Sequence, residues 1–524
     1  MNVGPLRTDG EALPTAFKLA CLAFALTSCT AWLRPLLLPD EGRYAGVAWE
    51  MLRSGDWLTP TLNGLPYFHK PPLFYWITAS SLAGFGLTEW AARVAPAIGF
   101  SLAVASPYWL VRRWLGPRPA SIAALALLAQ PLALVAGQYA NLDMLVAGLI
   151  TLTIVALAHA TLQMDSNPRT GRPALRLAWG AAALGVLAKG LIGIVIPAAV
   201  IGGWLLLSGR WRTIIRTVTR CPEGPVVFVL IAAPWFLLME RIHPGFLDYF
   251  FVYQHFTRFA TGGFNNQQPV WFYPAVLTLF SLPWLVWIAR RALGDRLPAG
   301  PERDLVLLCW IWLAAVILFF SIPRSKLVGY VLPAVPPLAL LAAAGLRARG
   351  DPGPAAIRLW RGAAAFGIVG SLVAVVVIAY RPTPSSRDLS RWIGTHSQPG
   401  DAVFMLNRFD FDAGLYARLQ APIRVVERWN DEAFVRSRDN WRKELADARR
   451  FNPGIAEQTL ITPEQLLASL CAQPRSWVIG FSQADANHQA LAASERVREW
   501  RGSTLWRFDA SRPASKALCE SLPK

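Results

Sequence analysis

The sequence has little charge, and very little of that charge is lysine. Only 16% of its 524 residues are charged, whereas soluble domains average about 25%. Of the 51 basic residues, 44 are arginine and seven are lysine. The shortage of charge excludes an ordinary soluble domain. The shortage of lysine makes the position of each remaining lysine informative.

Several motifs of well-known chemistry are also missing. The chain has six cysteines but no CxxC pair, and it has no HExxH motif, which argues against the common zinc-site patterns. Neither a P-loop nor a Rossmann glycine fingerprint precedes a helical pattern, so a nucleotide donor is not expected. Cys471 and Cys519 both fall in the last part of the chain, and the sequence leaves open whether they pair.

Long apolar runs take the place of the missing charge. A helix that crosses a bilayer needs about 17–25 apolar residues. The runs that approach or reach this length are residues 17–33, 92–111, 120–137, 142–162, 177–188, 191–207, 225–239, 271–288, 305–322, 328–346 and 363–380. With an interfacial helix at 74–85, they predict a polytopic α-helical membrane protein with about 11–13 transmembrane helices.

The basic residues predict the orientation of the chain. Arginines cluster in every second loop between the apolar runs, and such loops stay in the cytoplasm. The N-terminus is then cytoplasmic and forms an uncleaved anchor, while the loop at 34–90 and the C-terminal tail lie outside. The net charge of +18 is spread over these loops rather than gathered on one face, so we expect no nucleic-acid partner.

The composition changes after residue 380. Residues 1–380 form the predicted membrane domain, and residues 381–524 read as a soluble domain outside the membrane. Strand-like runs at 402–406, 423–426, 477–480 and 504–508 alternate with helical patterns at 432–449 and 462–470. This alternation predicts a small α/β or α+β extracytoplasmic domain.

Acids at the external boundary are the first candidate site residues. Asp40 and Glu41 follow the first apolar run and begin an amphipathic helical pattern, on which Asp40, Arg43 and Tyr44 share one side. Asp143 lies at another external boundary. Ionisable groups at a membrane boundary indicate function, although either aspartate could instead cap a helix.

Three of the seven lysines lie on the same face of the membrane. Lys70, Lys189 and Lys326 all fall at predicted external boundaries, where a lysine can bind phosphate as a point charge. The alternative is that they are snorkelling boundary residues. Together with the aspartates, they predict a site of acids and cations at which the phosphate of a lipid-linked donor is bound.

The long aromatic loop at about 241–274 carries the histidines that could bind a metal. His243, His255 and Arg258 lie in this loop, and His69 lies in the first external loop. Their spacing matches no common metal motif, so a cofactor is not certain and a divalent metal on His69 and His255 stays open. The aromatic residues could equally form an interfacial belt.

At this point the sequence resembles a known family. The segment PDEGRYAGVAWEMLRSGDWLTPTLNGLPYFHKPPLFYWITA, followed by EWAARVAP, is similar to the first external loop of the bacterial lipid A aminoarabinose transferases. The turns NLDM and LAKGLIGIVIP, the loop with QHFTRF, and KLVGYVLPAVPPLALL extend the resemblance over about residues 15–350. It implies a GT-C fold, related to that of the protein O-mannosyltransferases, in the bacterial inner membrane.

The resemblance also implies a reaction. A sugar, 4-amino-4-deoxy-L-arabinose or a related one, would pass with inversion from undecaprenyl phosphate to lipid A or another envelope acceptor at the periplasmic face. A protein O-glycosyltransferase using a polyprenyl-phosphate sugar is the alternative within enzymes. A transporter of lipid-linked sugars is the alternative outside them, but its ionisable residues would lie at the middle of the membrane.

Roles for single residues follow from the resemblance. Asp40 and Asp143 would be the catalytic carboxylates, and Glu41, next to Asp40, is a third catalytic candidate. Lys70, Arg258 and Tyr330 would contact the donor phosphate, and Tyr44 and Tyr67 would line the same cavity. The family commonly has YFEKPP where this chain has YFHKPP, so His69 replaces a carboxylate and puts a bound metal in doubt.

Overall fold

The computed structural model describes residues 9–166, 171–212, 219, 221–257, 266–484 and 488–522, and its first part is almost entirely helical. The α-helices of this part are Asp9–Ser28, Asp40–Ser54, Leu73–Phe85, Glu89–Ala92, Val94–Leu115, Pro117–Leu128, Pro131–Ala136, Leu142–Ser166, Arg172–Lys189, Ile192–Leu207, Glu223–Ile242, Phe272–Phe280, Leu285–Leu293, Pro301–Ser321, Val335–Leu346 and Pro354–Tyr380. A π-helix at Asp248–Thr257 and 3₁₀ turns at Leu282–Trp284 and Val328–Ala334 complete it.

Fewer of these helices reach full spanning length than the apolar runs predict. Among the described residues, six are long and apolar enough to cross a membrane, or seven if the pair Phe272–Phe280 and Leu282–Leu293, bent by 73°, is one span. Prolines account for two of the predicted runs that do not form one full-length helix. Pro131 and Pro283 interrupt apolar runs that look continuous in the sequence, because proline cannot continue the helical hydrogen bonding.

The centre of the bundle differs from its rim. Val94–Leu115 and Leu142–Ser166 pack against each other in the interior, and an added Cβ on Gly99 would overlap the backbone at Met144. This close approach, typical of small residues between membrane helices, fixes the helix that carries Asp143. The rim helices instead expose apolar side chains such as Leu230, Leu318 and Phe366, as lipid contact requires.

The helix Asp40–Ser54 has the amphipathic pattern predicted from the sequence. Tyr44, Val47, Ala48 and Met51 are all buried on one side, and the helix ends at Gly55 in the left-handed conformation, with φ of 73°. A short hairpin follows, with strands β1 (Thr61–Leu62) and β2 (Leu65–Pro66).

The C-terminal part contains six strands: β3 (Ala402–Leu406), β4 (Arg424–Val426), β5 (Leu460–Ile461), β6 (Arg475–Phe481), β7 (Glu495–Trp500) and β8 (Ser503–Asp509). They form one sheet of order β5–β4–β3–β6–β8–β7. Pairing is parallel from β5 to β6 and antiparallel from β6 to β7. Its helices are Arg387–His396, Ala413–Ala417, Glu432–Arg436, Trp441–Arg449, Pro453–Thr459, Leu466–Cys471, Gln489–Ala492 and Pro513–Glu520, with a 3₁₀ turn at Pro463–Gln465.

The predicted membrane fold with a small sheet domain is therefore confirmed. The four predicted strands are present as β3, β4, β6 and β8, whereas β5 is too short and β7 too polar to be recognised in the sequence. The helical pattern at 432–449 forms two helices rather than one. Cys471 and Cys519 form a disulfide, which settles the pairing that the sequence leaves open.

The sheet domain packs directly on the loop at 34–90. Arg43 forms an ion pair with Glu444 at 3.2 Å, and the Asn63 amide exchanges hydrogen bonds with the backbone of Ile423. An added Cβ on Gly46 would lie 2.7 Å from the carbonyl oxygen of Phe411. The helix that begins at Asp40 is thus held between the bundle and the sheet domain.

Candidate active site

Asp40 and Asp143 both line one cavity of 400 Å³. It forms where three segments distant in sequence meet: the start of Asp40–Ser54, the start of Leu142–Ser166 and the turn Val328–Ala334. The rest of the lining is mostly apolar, with a few polar groups; its residues are Arg34, Leu37, Leu132, Val135, Ala136, Tyr139, Asn141, Met144, Leu327, Val328, Gly329, Leu332, Val375 and Ile378. An apolar wall with a few convergent polar groups is typical of a ligand site.

Asp143 has a cation and an aromatic ring beside it. Its carboxylate forms an ion pair with Lys189, and the Lys189 ammonium nitrogen lies 4.3 Å from the centre of the Tyr330 ring. Gly329 faces the same carboxylate so closely that an added Cβ would overlap Oδ2 of Asp143. The structure therefore brings together Asp143, Lys189 and Tyr330, which come from three different helical boundaries.

Asp40 is not the cap of its helix. Pro39 occupies the cap position, and no side chain makes a capping bond there. The Asp40 carboxylate lies 3.7 Å from the Arg43 guanidinium, and its side chain is 31% exposed. Because it is open to the cavity and not committed to the backbone, this carboxylate can contact a ligand.

The neighbouring Glu41 is in a different environment. It is fully buried and accepts hydrogen bonds from the guanidinium groups of Arg34 and Arg93 and from the backbone N–H groups of Leu37 and Ala140. Burial by itself raises the pKa of Glu41, but the two arginines outweigh it and hold the pKa at about 2. Glu41 does not line the cavity; it connects the loop before Asp40 to the turn before Asp143.

Arg43, Tyr44 and Tyr67 lie behind Asp40, and none of them lines the 400 Å³ cavity. Tyr44 packs against Phe74, with ring centres 5.8 Å apart, and Tyr67 is only 2% exposed. Burial raises the pKa of both tyrosines, so their hydroxyls stay neutral. These three side chains form a buried layer that supports the site from one side.

Two of the predicted lysines lie outside this cavity. Lys326 is 4% exposed, and its ammonium donates to the backbone carbonyls of Gln268 at 2.9 Å and Pro323 at 2.6 Å. Lys70 is partly buried in the first external loop. Arg258 lies outside the described residues. The contact of these three residues with a donor phosphate stays a prediction.

Comparison with known proteins identifies relatives of the chain. Residues 69–237 match the family described as dolichyl-phosphate-mannose-protein mannosyltransferase. Arabinosyl transferase 1 of Sodalis glossinidius, named as acting on undecaprenyl phosphate-alpha-4-amino-4-deoxy-L-arabinose, is 38% identical over 59% of this chain and 55% of its own length. Arabinosyl transferase 2 of Pseudomonas fluorescens, with the same substrate in its name, is 34% identical over 63% and 58%.

A solved structure extends the similarity to nearly the whole chain. ArnT from Cupriavidus metallidurans, bound to undecaprenyl phosphate, superposes with a TM-score of 0.77 at 25% identity, over 94% of this chain and 98% of that one. The chain is a relative of these arabinosyl transferases. The predicted resemblance and the GT-C-like fold are confirmed, and the chain is a multi-pass membrane protein.

The sequence similarity to the curated relatives covers only part of their length. The chain spans little more than half the length of the curated arabinosyl transferases named above. An oligosaccharyltransferase from Archaeoglobus fulgidus has a TM-score of 0.53 at 14% identity, covering 90% of this chain and 70% of its own, and so shares the fold alone.

A metal site on His69 and His255 stays a prediction. The His69 ring stacks on Tyr67, with ring centres 4.7 Å apart, and its centre lies 6.0 Å from that of Tyr249. The His255 side chain lies outside the described residues. Within the described part of the chain, no three His, Cys, Asp or Glu side chains are grouped as metal ligands. Aromatic contacts thus fix the His69 ring.

Sequence reasoning missed several residues of the site. Arg34, Tyr139 and Asn141 line the cavity, and Gly329 limits the space around Asp143. The positions of Asn141 and Gly329, within the NLDM turn and the KLVGY segment respectively, were the available signals. For Arg34 the available signal was weaker: it is a charged residue directly after the first apolar run.

Proposed function

We propose that this protein is an undecaprenyl-phosphate-dependent glycosyltransferase. It transfers 4-amino-4-deoxy-L-arabinose, or a related sugar, to lipid A or another envelope acceptor at the periplasmic face of the bacterial inner membrane. The observation that supports this most is the shared cavity of Asp40 and Asp143, with Lys189 beside it, in a relative of the arabinosyl transferases.

The roles of the residues follow from the charges that the reaction creates. The acceptor oxygen forms a bond to the anomeric carbon while the bond from that carbon to the carrier phosphate breaks, so inversion results. Negative charge grows on the leaving phosphate, and cations placed beforehand stabilise it. Lys189 with Tyr330 supplies a cation beside Asp143, and Lys70 and Arg258 are further candidates for this role.

The role of Asp40 depends on the acceptor. A lipid A phosphate is already ionised at neutral pH and needs no base, so Asp40 then orients the acceptor or binds the ammonium of an amino sugar. A hydroxyl acceptor would require Asp40 as a general base. The open position of Asp40 in the cavity suits either role.

The proposed topology follows from the basic loops. The N-terminus and the arginine-rich loops lie in the cytoplasm. The Asp40–Asp143 cavity and residues 381–524 then face the periplasm. The packing of the sheet domain on the first external loop supports this, since both must lie on one side of the membrane.

Protein O-glycosylation is the second candidate. It is favoured by the match of residues 69–237 to a family described as acting on protein with dolichyl-phosphate-mannose. The two candidates share the donor chemistry and differ in the acceptor.

The test is sugar transfer from a radiolabelled polyprenyl-phosphate donor by membranes that contain the full chain. Asp40→Asn and Asp143→Asn should each lower the rate by about 10²–10⁴-fold, the range typical of a positioned acid or base. Glu499→Gln removes an exposed acid of the sheet domain and should leave the rate unchanged. Full activity in both aspartate variants would contradict the site, and label in protein rather than lipid A would favour the second candidate.

A further inference from the structure

A second and larger opening lies between the membrane part and the sheet domain. This cleft of 570 Å³ is bounded by Tyr249 and Tyr253 of the π-helix on one side. The end of the helix Trp441–Arg449 and the residues after it form the other side. The reaction proposed above does not involve this cleft.

The cleft has an excess of positive charge. Arg436 forms ion pairs with Glu432 at 2.6 Å and with Asp447 at 2.8 Å. Arg449 and Arg450 also line the cleft and are exposed, and their charges act at longer range on Glu432 and Asp447, respectively. The lining as a whole carries three arginines, Arg436, Arg449 and Arg450, against two acids, Asp447 and Glu457.

The two tyrosines of the cleft pack against each other, and one of them also packs against an arginine. The rings of Tyr249 and Tyr253 are stacked, with centres 5.5 Å apart and planes at 17°. The Arg450 guanidinium lies 4.4 Å from the centre of the Tyr249 ring. Arg450 thus joins the sheet domain to the π-helix, and Arg449 directly precedes it on the same side of the cleft.

A chain of side-chain contacts connects the cleft to Asp40. Tyr249 contacts His69, which stacks on Tyr67. Tyr67 in turn interacts with Arg43, the side chain 3.7 Å from Asp40. A ligand in the cleft would therefore lie next to the first external loop, close to His69 and Lys70.

We propose that this cleft binds the phosphorylated sugar headgroup of the acceptor. The planar forks of Arg449 and Arg450 suit a phosphate group, and the tyrosine side chains offer apolar faces with polar hydroxyls to a sugar ring. The inference rests on the proposed function, because it assigns a binding place to the acceptor of that reaction.

The experiment measures binding directly, without turnover. The full-length protein in nanodiscs is titrated with a fluorescent short-chain bisphosphorylated glucosamine disaccharide and with its dephosphorylated form, and inorganic phosphate is added as a competitor. The variant R449Q/R450Q is compared with R438Q/R498Q, which removes two exposed arginines of the sheet domain that do not line the cleft.

We expect the cleft variant to bind the phosphorylated probe at least about tenfold more weakly, because it loses charge-assisted hydrogen bonds to the phosphate. The control variant and the melting temperature should be unchanged. Steady-state kinetics should then show a raised KM for the acceptor and an unchanged KM for the donor.

Three outcomes would overturn the inference: unchanged binding in the cleft variant, equal weakening in both double variants, or inorganic phosphate binding as tightly as the disaccharide. The last outcome would identify a simple anion site. If the wild type transfers no sugar but the binding pattern holds, the proposed function fails and the headgroup site stands.

Discussion

Two neighbouring carboxylates of this protein differ completely in their surroundings. Glu41 is fully buried and accepts hydrogen bonds from two arginines and two backbone N–H groups. Asp40, one residue earlier, opens into the 400 Å³ cavity. Adjacent helix positions point about 100° apart, so one turns into the protein and the other into the cavity.

The comparison distinguishes two layers. Glu41 and the groups that donate hydrogen bonds to it form a fixed layer, and Asp40 and Asp143 in the cavity form an open layer. Through Glu41, the loop before Asp40 is tied to Ala140, three residues before Asp143. Sites need their reacting groups held within about 0.5 Å by supporting hydrogen bonds. We infer that Glu41 is a positioning residue that sets the relation of Asp40 to Asp143, rather than a residue that touches substrate.

Removing the charge of Glu41, at the centre of the fixed layer, should have the largest effect on stability and on sugar transfer. Glu41→Gln leaves Arg34 and Arg93 buried without a counter-charge, and breaking a buried pair costs about 3–5 kcal/mol. We expect a lower melting temperature in detergent together with loss of sugar transfer.

Glu427→Gln is the matched control for this change. Glu427 is buried and pairs with Arg442 at 2.6 Å in the sheet domain. It should lower stability while sparing transfer by the folded fraction. If Glu41→Gln keeps both stability and transfer, the fixed layer has no positioning role.

A smaller change disturbs the open layer alone. A Cβ on Gly329 would overlap the Asp143 carboxylate, so Gly329→Ala should displace it. A misplacement of about 1 Å can cost about 10²-fold in rate, and we expect kcat to fall by up to that factor with little change in melting temperature.

Gly362→Ala provides the control, because its added Cβ meets nothing within 4 Å in the helix Pro354–Tyr380. Equal rates in the two alanine variants would show that Asp143 tolerates displacement.

The smallest effect concerns the sheet domain where it packs against the Asp40 helix. An added Cβ on Gly42 would lie 3.0 Å from the backbone nitrogen of Asp412. Burial, with the nearby Asp410, raises the pKa of Asp412 from 3.8 to about 6. The folded state thus binds the proton more tightly, so this contribution to stability is present below pH 3.8 and is lost as the pH rises through 6.

Asp412→Asn should therefore flatten the dependence of the melting temperature on pH between 4 and 6. One kcal/mol corresponds to about 2–4 °C in a domain of 150–250 residues, so the effect is of a few degrees and should not reach the transfer rate. A variant with the same pH dependence as the wild type would contradict this.

Local sequence patterns predicted the helices that carry the site residues better than they predicted which of those residues contact one another. The spacing of Tyr44, Val47 and Met51 predicted the buried side of the Asp40 helix, and the structure confirms it. The three lysines predicted to be external looked equivalent in the sequence, but the structure pairs Lys189 with Asp143, an acid of the cavity. Lys326 donates to backbone carbonyls instead, a difference that depends on which loop folds over which.

The sequence by itself determined that this is a helical membrane protein with a small sheet domain, and it predicted that acids and cations lie on one face of the membrane. Apolar length and charge are properties of local sequence, and the membrane acts on them directly. Only the tertiary structure decided that Asp40 faces the cavity while Glu41 is enclosed, that Lys189 pairs with Asp143, and that Arg450 of the tail contacts Tyr249. These contacts join residues distant in the chain, and packing alone brings them together.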